Sequence, residues 1–196
     1  MKILLISAAL AASIIPSAAS AQAIPSAVVA VVDLEKVTSE CNACKTAAAA
    51  LRSQATALQS RQTALATPLE TEGKSIQAAV DALNGKEPDA ALQTRAKAWQ
   101  SKRDAAAQEI TRGEQQLQRN QAYINQQVRD KLGPIYSQVM QRRGANIMVE
   151  SGATLATATS VDVTNDVLTA LNSAMPTIVT QAPAQATTQR KQPQGR

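Results

Sequence analysis

"NGKEPDA", residues 84–90, crowds Asn, Gly, Pro and Asp between two long runs of helix formers. Such a cluster reverses the chain, so the fold depends on whether the two flanks match. Upstream, from Thr38 to about Asn84, a seam recurs at alternating spacings of three and four: Leu51, Ala55, Leu58, Gln62, Leu65, Leu69, Glu72, Ile76, Ala79 and Leu83. Downstream, from about Pro88 to Arg143, a longer seam at spacings of three and four runs through Leu92, Ala96, Trp99, Arg103, Ala106, Ile110, Gly113, Leu117, Gln121, Ile124, Val128, Leu132, Ile135 and Val139. Matching heptad registers on either side of a short turn describe a long antiparallel coiled-coil hairpin, residues 38–143, with its tip near 84–90. The seam is diluted by Gln62, Glu72, Arg103, Gly113 and Gln121 where Leu or Ile would be strongest, so the arms should bend and splay. Pro68 predicts a kink near 64–68, and Gly133-Pro134 a second weak point where the arm re-enters a more packed region.

The flanks of the hairpin read differently. Val28–Val32 is a β-branched run that reads as a strand ended by Asp33; "ANIMVES" (145–151) reads as a buried strand and "LATATS" (155–160) as a weaker third. "VDVTNDVLTALNSAM" (161–175) is an amphipathic helix started by Asp162 and Thr164, with Val167, Leu168 and Leu171 as its buried stripe and Pro176 as its stop. Gly144 is placed to cap the preceding helix, with Arg142 and Arg143 complementing its dipole. The fold class is therefore mainly α with a small β body (α+β), the hairpin being inserted between two body segments, 22–37 and 144–175. These segments are too short for a robust domain alone, and their strands would leave open edges. Strands from several subunits closing one sheet would answer both problems.

At the N-terminus, Lys2, the apolar run "ILLISAALAASIIP" (3–16) and the small residues "AASAQA" (18–23) read as a signal peptide, residues 1–21, cleaved near Ala21. The mature protein is then exported. At the other end, residues 176–196 have the Gln-, Pro- and Thr-rich composition of a disordered tail.

The order "VVAVVDLEKV" (28–37), long helical hairpin, "GANIMVESG" (144–152) and "SVDVTNDVLTALN" (160–172) resembles the Skp/OmpH family of periplasmic chaperones for outer-membrane proteins. The resemblance covers roughly residues 28–175. It implies a homotrimer in which a small central β-barrel carries three helical arms, and an ATP-independent holdase that keeps unfolded outer-membrane proteins in the cavity between them. The sequence "CNAC" (41–44) and the long tail stand outside that pattern.

Chemistry-bearing residues are few. The chain has no histidine and no phenylalanine, one tryptophan (Trp99) and two tyrosines (Tyr123, Tyr136), and it carries no Gly-rich phosphate loop. No enzyme, cofactor or metal is expected, and Asp33 and Glu35 read as capping or solvated acids. The formal charge is +5, and its excess sits in residues 95–143, where ten basic residues face four acidic ones. Of these, Arg95, Lys97, Lys102, Arg103, Arg112, Arg119, Arg129 and Lys131 are candidate contacts for acidic clients or an anionic surface of lipid or lipopolysaccharide, against the plainer reading of cations that solvate a helix. Export and the lack of stacking aromatics argue against nucleic acid. Cys41 and Cys44 share a helix face at the neck between body and arm, where a structural disulfide closing the first turn is the favoured reading over redox-responsive or intersubunit thiols; a zinc site would need further cysteines from other subunits, since the chain has no histidine.

Overall fold

A computed structural model of the chain describes residues 26–184. The signal peptide with its Ala21 cleavage site and the end of the tail, 185–196, lie outside the described residues. The elements run β1 (Val29–Val32), α1 (Leu34–Glu40), α2 (Asn42–Asp81), α3 (Ala90–Arg143), β2 (Ile147–Glu150) and α4 (Thr164–Ala174).

Local chemistry sets each boundary. Asp33 ends β1 and at once begins α1: its Oδ1 accepts the Lys36 amide at 2.8 Å, while its own amide donates to Thr164 Oγ1 at 2.9 Å. Helix therefore starts at Leu34, four residues before the sequence expectation. It breaks at Cys41, whose backbone is extended, and resumes as α2. The restart is capped from two sides, by Cys41 Sγ accepting the Cys44 amide at 3.2 Å and by Asn172 Oδ1 of α4 accepting the Asn42 amide at 2.9 Å. At the far end Asn84 and Gly85 take left-handed φ of 48° and 86°, and Asp89 Oδ1 caps α3 through the Leu92 amide at 2.7 Å. Gly144, at φ 65°, closes α3 as its C-cap.

α2 and α3 run antiparallel, as the cross-helix partners show: Arg61 meets Glu109, Glu72 meets Arg95, and Gln54 meets Asn120. Pro68 and Pro134 lie inside unbroken helices, each lacking the N–H that would reach the carbonyl four residues earlier. Burial along the pair is uneven. Ile124, Val128, Leu132, Ile135 and Val139 are buried where α3 nears the body, whereas toward the tip Ile76 alone of the described apolar side chains is. Between them most of the seam is half-buried, and Gln62, Arg103 and Gln121 are exposed. The two helices approach closely at Gly73, where an added Cβ would stand 3.0 Å from the Trp99 ring, whose Nε1 donates to Leu69 O at 2.7 Å.

The body packs β1, α1, the roots of α2 and α3, and α4 around Val37, Cys41, Val139, Val167 and Leu171, all fully buried. β1 and β2 pair in parallel, Val29 opposite Ile147 through Val32 opposite Glu150. The third strand expected at 155–160 does not form. Beyond β2 the chain makes two single-turn 3-10 segments, Ser151–Ala153 and Thr159–Val161, and only an isolated bridge between Val31 and Asp162 extends the sheet. Leu155 is that stretch's one large apolar side chain and lies fully exposed, so nothing buries one face of a strand there. In α4 the buried stripe is Thr164, Val167 and Leu171, with Leu168 half-buried.

The described part of the expected tail, 176–184, is laid along the root of the arm. Ile178 packs on the core, and side-chain amides of α2 and α3 bind the main chain beyond it.

Candidate functional site

The neck joins body to arm at the break between α1 and α2. There the structure joins Cys41 and Cys44 in a disulfide, with the two Cα atoms 5.1 Å apart. The extended backbone at Cys41 makes this possible, since it lets the sulfur turn back over the first turn of α2. Cys41 is fully buried against the body core and Cys44 half-buried.

Cys44 also forms one wall of a groove of about 820 Å³ at the root of the arm. Leu34 and Thr38 of α1, Ala48 and Leu51 of α2, and Ile124, Val128, Leu132 and Tyr136 of α3 supply most of the remaining wall. Arg52 and Arg129 stand among these apolar residues. Burial, with Glu150 nearby, pushes the Tyr136 hydroxyl above its ordinary pKa, so it stays a neutral donor. The groove is thus an open apolar surface with two fixed positive charges.

The eight candidate cations do not converge. Positions 95, 97, 102, 103, 112, 119, 129 and 131 fall all around α3 by its 3.6-residue period. Arg95 is engaged by Glu72 (2.6 and 3.1 Å) and Ser75 (2.9 Å). Arg103 lies 5.3 Å from the centre of the Trp99 ring, and Arg119 donates to Gln116. Lys102 borders a shallow depression beside Pro68 and Leu69. Lys97, Arg112 and Lys131 are exposed and form no ion pair among the described residues. Only Arg129 lines the groove. No group of three metal-ligating side chains occurs among the described residues, and no described helix is long and apolar enough to cross a membrane. The Asp33 carboxylate is occupied as a helix cap.

A family model described as outer membrane protein (OmpH-like) matches residues 28–171. The chain belongs to the OmpH-like family. The fold also matches, at a TM-score of 0.68 and 18% identity, a crystal structure of a candidate outer membrane chaperone (OmpH-like) from Caulobacter crescentus, over 84% of this chain and 96% of that one. No curated protein matches the chain.

Within this OmpH-like fold, sequence reading missed Arg52 in the groove and the amides Gln54, Asn120 and Gln127 that bind residues 179–182. Asn120 sits one residue before the seam position Gln121, yet Asn120 is the buried one. A glutamine-rich helix offers no local signal to separate these amides from solvated ones.

Higher on the arm, two ion pairs cross between the helices: Arg61 with Glu109 and Arg95 with Glu72, each 2.6 Å. The hydrogen bond from each arginine holds its glutamate below the usual carboxylate range. A carboxylate lowered in the folded state stabilises that state above its unfolded pKa, about 4.3 for glutamate, and loses the contribution as pH falls through the folded value. The arms are therefore expected to part as pH drops from 5 to 3, modestly, since these pairs face solvent. Spin labels at Ala66→Cys and Ala105→Cys should report a longer distance at pH 3, and a Glu72→Gln, Glu109→Gln variant should show the longer distance already at pH 5.

Proposed function

We propose that this OmpH-like chain is an ATP-independent holdase of the periplasm, exported with its signal peptide removed near Ala21, that keeps unfolded outer-membrane proteins from aggregating between helical arms. The working unit is a homotrimer whose short strands complete a shared barrel and whose hairpins project from it. The observation that carries the reading is the groove at the arm root, an apolar surface of about 820 Å³ flanked by Arg52 and Arg129. An unfolded β-barrel precursor exposes apolar strands in many sequences, and a broad apolar wall with a few cations holds such a chain without requiring one fixed shape. Assembly is supported by the sheet. Val28, Val29 and Ile147 are 46%, 39% and 43% exposed on a two-stranded sheet in which only the Val31–Asp162 bridge borders β1 and no described strand borders the far side of β2. The neck disulfide holds the first turn of each arm where splaying strains it most.

The test is suppression of aggregation of an urea-unfolded outer-membrane protein, without nucleotide, on a sample whose mass is measured in parallel. Trimer mass with suppression is expected; a monomer without suppression would sink the reading. A second reading, a periplasmic spacer that binds anionic lipid or lipopolysaccharide and no client, is favoured by Lys97, Arg112 and Lys131, which are exposed and form no ion pair among the described residues. It predicts salt-sensitive binding to anionic vesicles with no protection of unfolded protein.

A further inference from the structure

Beyond α4 the chain has no strand beside it, yet its main chain is hydrogen-bonded. Gln127 of α3 uses both ends of its amide on one residue: Nε2 donates to the Val179 carbonyl at 2.8 Å and Oε1 accepts the Val179 amide at 3.0 Å. That is the exchange an opposing residue makes in an antiparallel ladder. Farther along, Gln54 Nε2 of α2 donates to the Thr180 carbonyl at 3.3 Å, and Asn120 Oδ1 accepts the Ala182 amide at 2.8 Å. Asn120 Nδ2 in turn donates to Gln54 Oε1 at 2.8 Å, fixing the two amides against each other.

Two features make this a built site. Asn120 is 3% exposed, so its amide is held by packing. The spacing also fits: Asn120 and Gln127 are one heptad apart, about 10.5 Å along a helix, and the residues they bind, Val179 and Ala182, span about 10 Å when extended. Every one of these contacts reads the main chain, while the Val179 side chain stays 56% exposed.

We propose that Gln54, Asn120 and Gln127 form a binding site for the main chain of an extended polypeptide, independent of its sequence, and that residues 179–182 are its tethered occupant, displaced when an unfolded client segment enters. The inference rests on the holdase reading for the identity of the incoming chain, not for the existence of the site. An emptied site would cost the buried Asn120 Oδ1 one of its two donors, leaving Gln116 Nε2 at 2.7 Å, and would cost Gln127 both of its bonds to Val179, so an incoming extended segment regains what simple opening gives up. The tail thereby sets how tightly a client must bind to enter.

The test compares the full chain with one ending after Ile178, which keeps Met175 and Ile178 on the core. The probe is an unfolded outer-membrane protein in dilute urea. Its apparent affinity should rise about tenfold in the shortened chain, as expected on removing a competitor tethered at millimolar effective concentration. Gln127→Leu, similar in shape but without the amide, should cancel that gain at unchanged helical content. Equal affinity of the full and shortened chains, or a gain that survives Gln127→Leu, overturns the proposal even if aggregation is still suppressed and the holdase reading stands. A separate titration adds a synthetic peptide of residues 177–190 to the shortened chain and follows the side-chain NH2 resonances of Asn120 and Gln127. Both should shift; if neither does, the site falls whatever the client assay shows, and if both do while no client binds, the site stands and the holdase reading falls.

Discussion

Leu171→Ala is expected to lower the stability of the body by about 3 kcal/mol, the usual cost of emptying a fully buried leucine site. Leu171 is 0% exposed and sits with Val37, Val139 and Val167 where α4 closes over β1, α1 and the root of α3. α4 is only 11 residues long, so few other contacts can take up the loss. The most direct reporter is hydrogen exchange at the Val163 amide, which donates to Val31 O at 2.8 Å and ties the start of α4 to β1. Exchange there should accelerate by about two orders of magnitude, following 1.4 kcal/mol per tenfold. Leu155→Ala is the control: that side chain is fully exposed, and the change should stay within about 0.5 kcal/mol. Trp99 fluorescence would be a poor probe, because Trp99 packs against Leu69 and Gly73, away from the body.

A second substitution should do the reverse, leaving the chain folded and removing its assembly. Val29 and Ile147 face each other in the register of β1 and β2 and are 39% and 43% exposed, so Val29→Asp costs the single chain little. If neighbouring copies complete the sheet there, the same carboxylate is buried without a partner in every copy, at several kcal/mol each. Sedimentation should show the mass fall to that of one chain while circular dichroism is unchanged. An unchanged mass would place the subunit contact elsewhere. Leu171→Ala and Val29→Asp together separate loss of fold from loss of assembly, which an aggregation assay alone would confuse.

The helical segments were legible because the three-four spacing of Leu, Ile and Val is periodic over many turns, and because Asn84, Gly85 and Asp89 supply the left-handed turn and cap that a reversal needs. The body segments were legible from the β-branched run before Asp33 and from the stripe in 161–175. Where sequence reading failed, the deciding partner lay far away in the chain. Asp33 reads correctly as the end of β1 and as a capping acid, but the start of helix at Leu34 is fixed together with Thr164, 131 residues on, which accepts the Asp33 amide. "LATATS" has strand-like residues but no surface to cover one side of them. Residues 176–184 have a disordered composition, yet Gln54, Asn120 and Gln127 hold them through the main chain, which composition cannot register. The cationic excess was counted correctly, but a count along the chain ignores the helical period that scatters it around α3.

The antiparallel pairing of α2 and α3 also makes the arm a ruler that can be lengthened from its free end. Toward the turn both helices follow the same heptad, and both anchor to the body only at their roots. Seven residues inserted into each helix beside the Asn84–Gly85 turn would keep every inward position inward and leave Val29 opposite Ile147, while extending the reach by about 10.5 Å. Seven added to one helix alone would leave its about two extra turns without a partner across the arm, with Arg61–Glu109 and Glu72–Arg95 still in register below them. Reach and body are thus separable variables, and evolution or an engineer can alter the first by symmetric insertion without reopening the second.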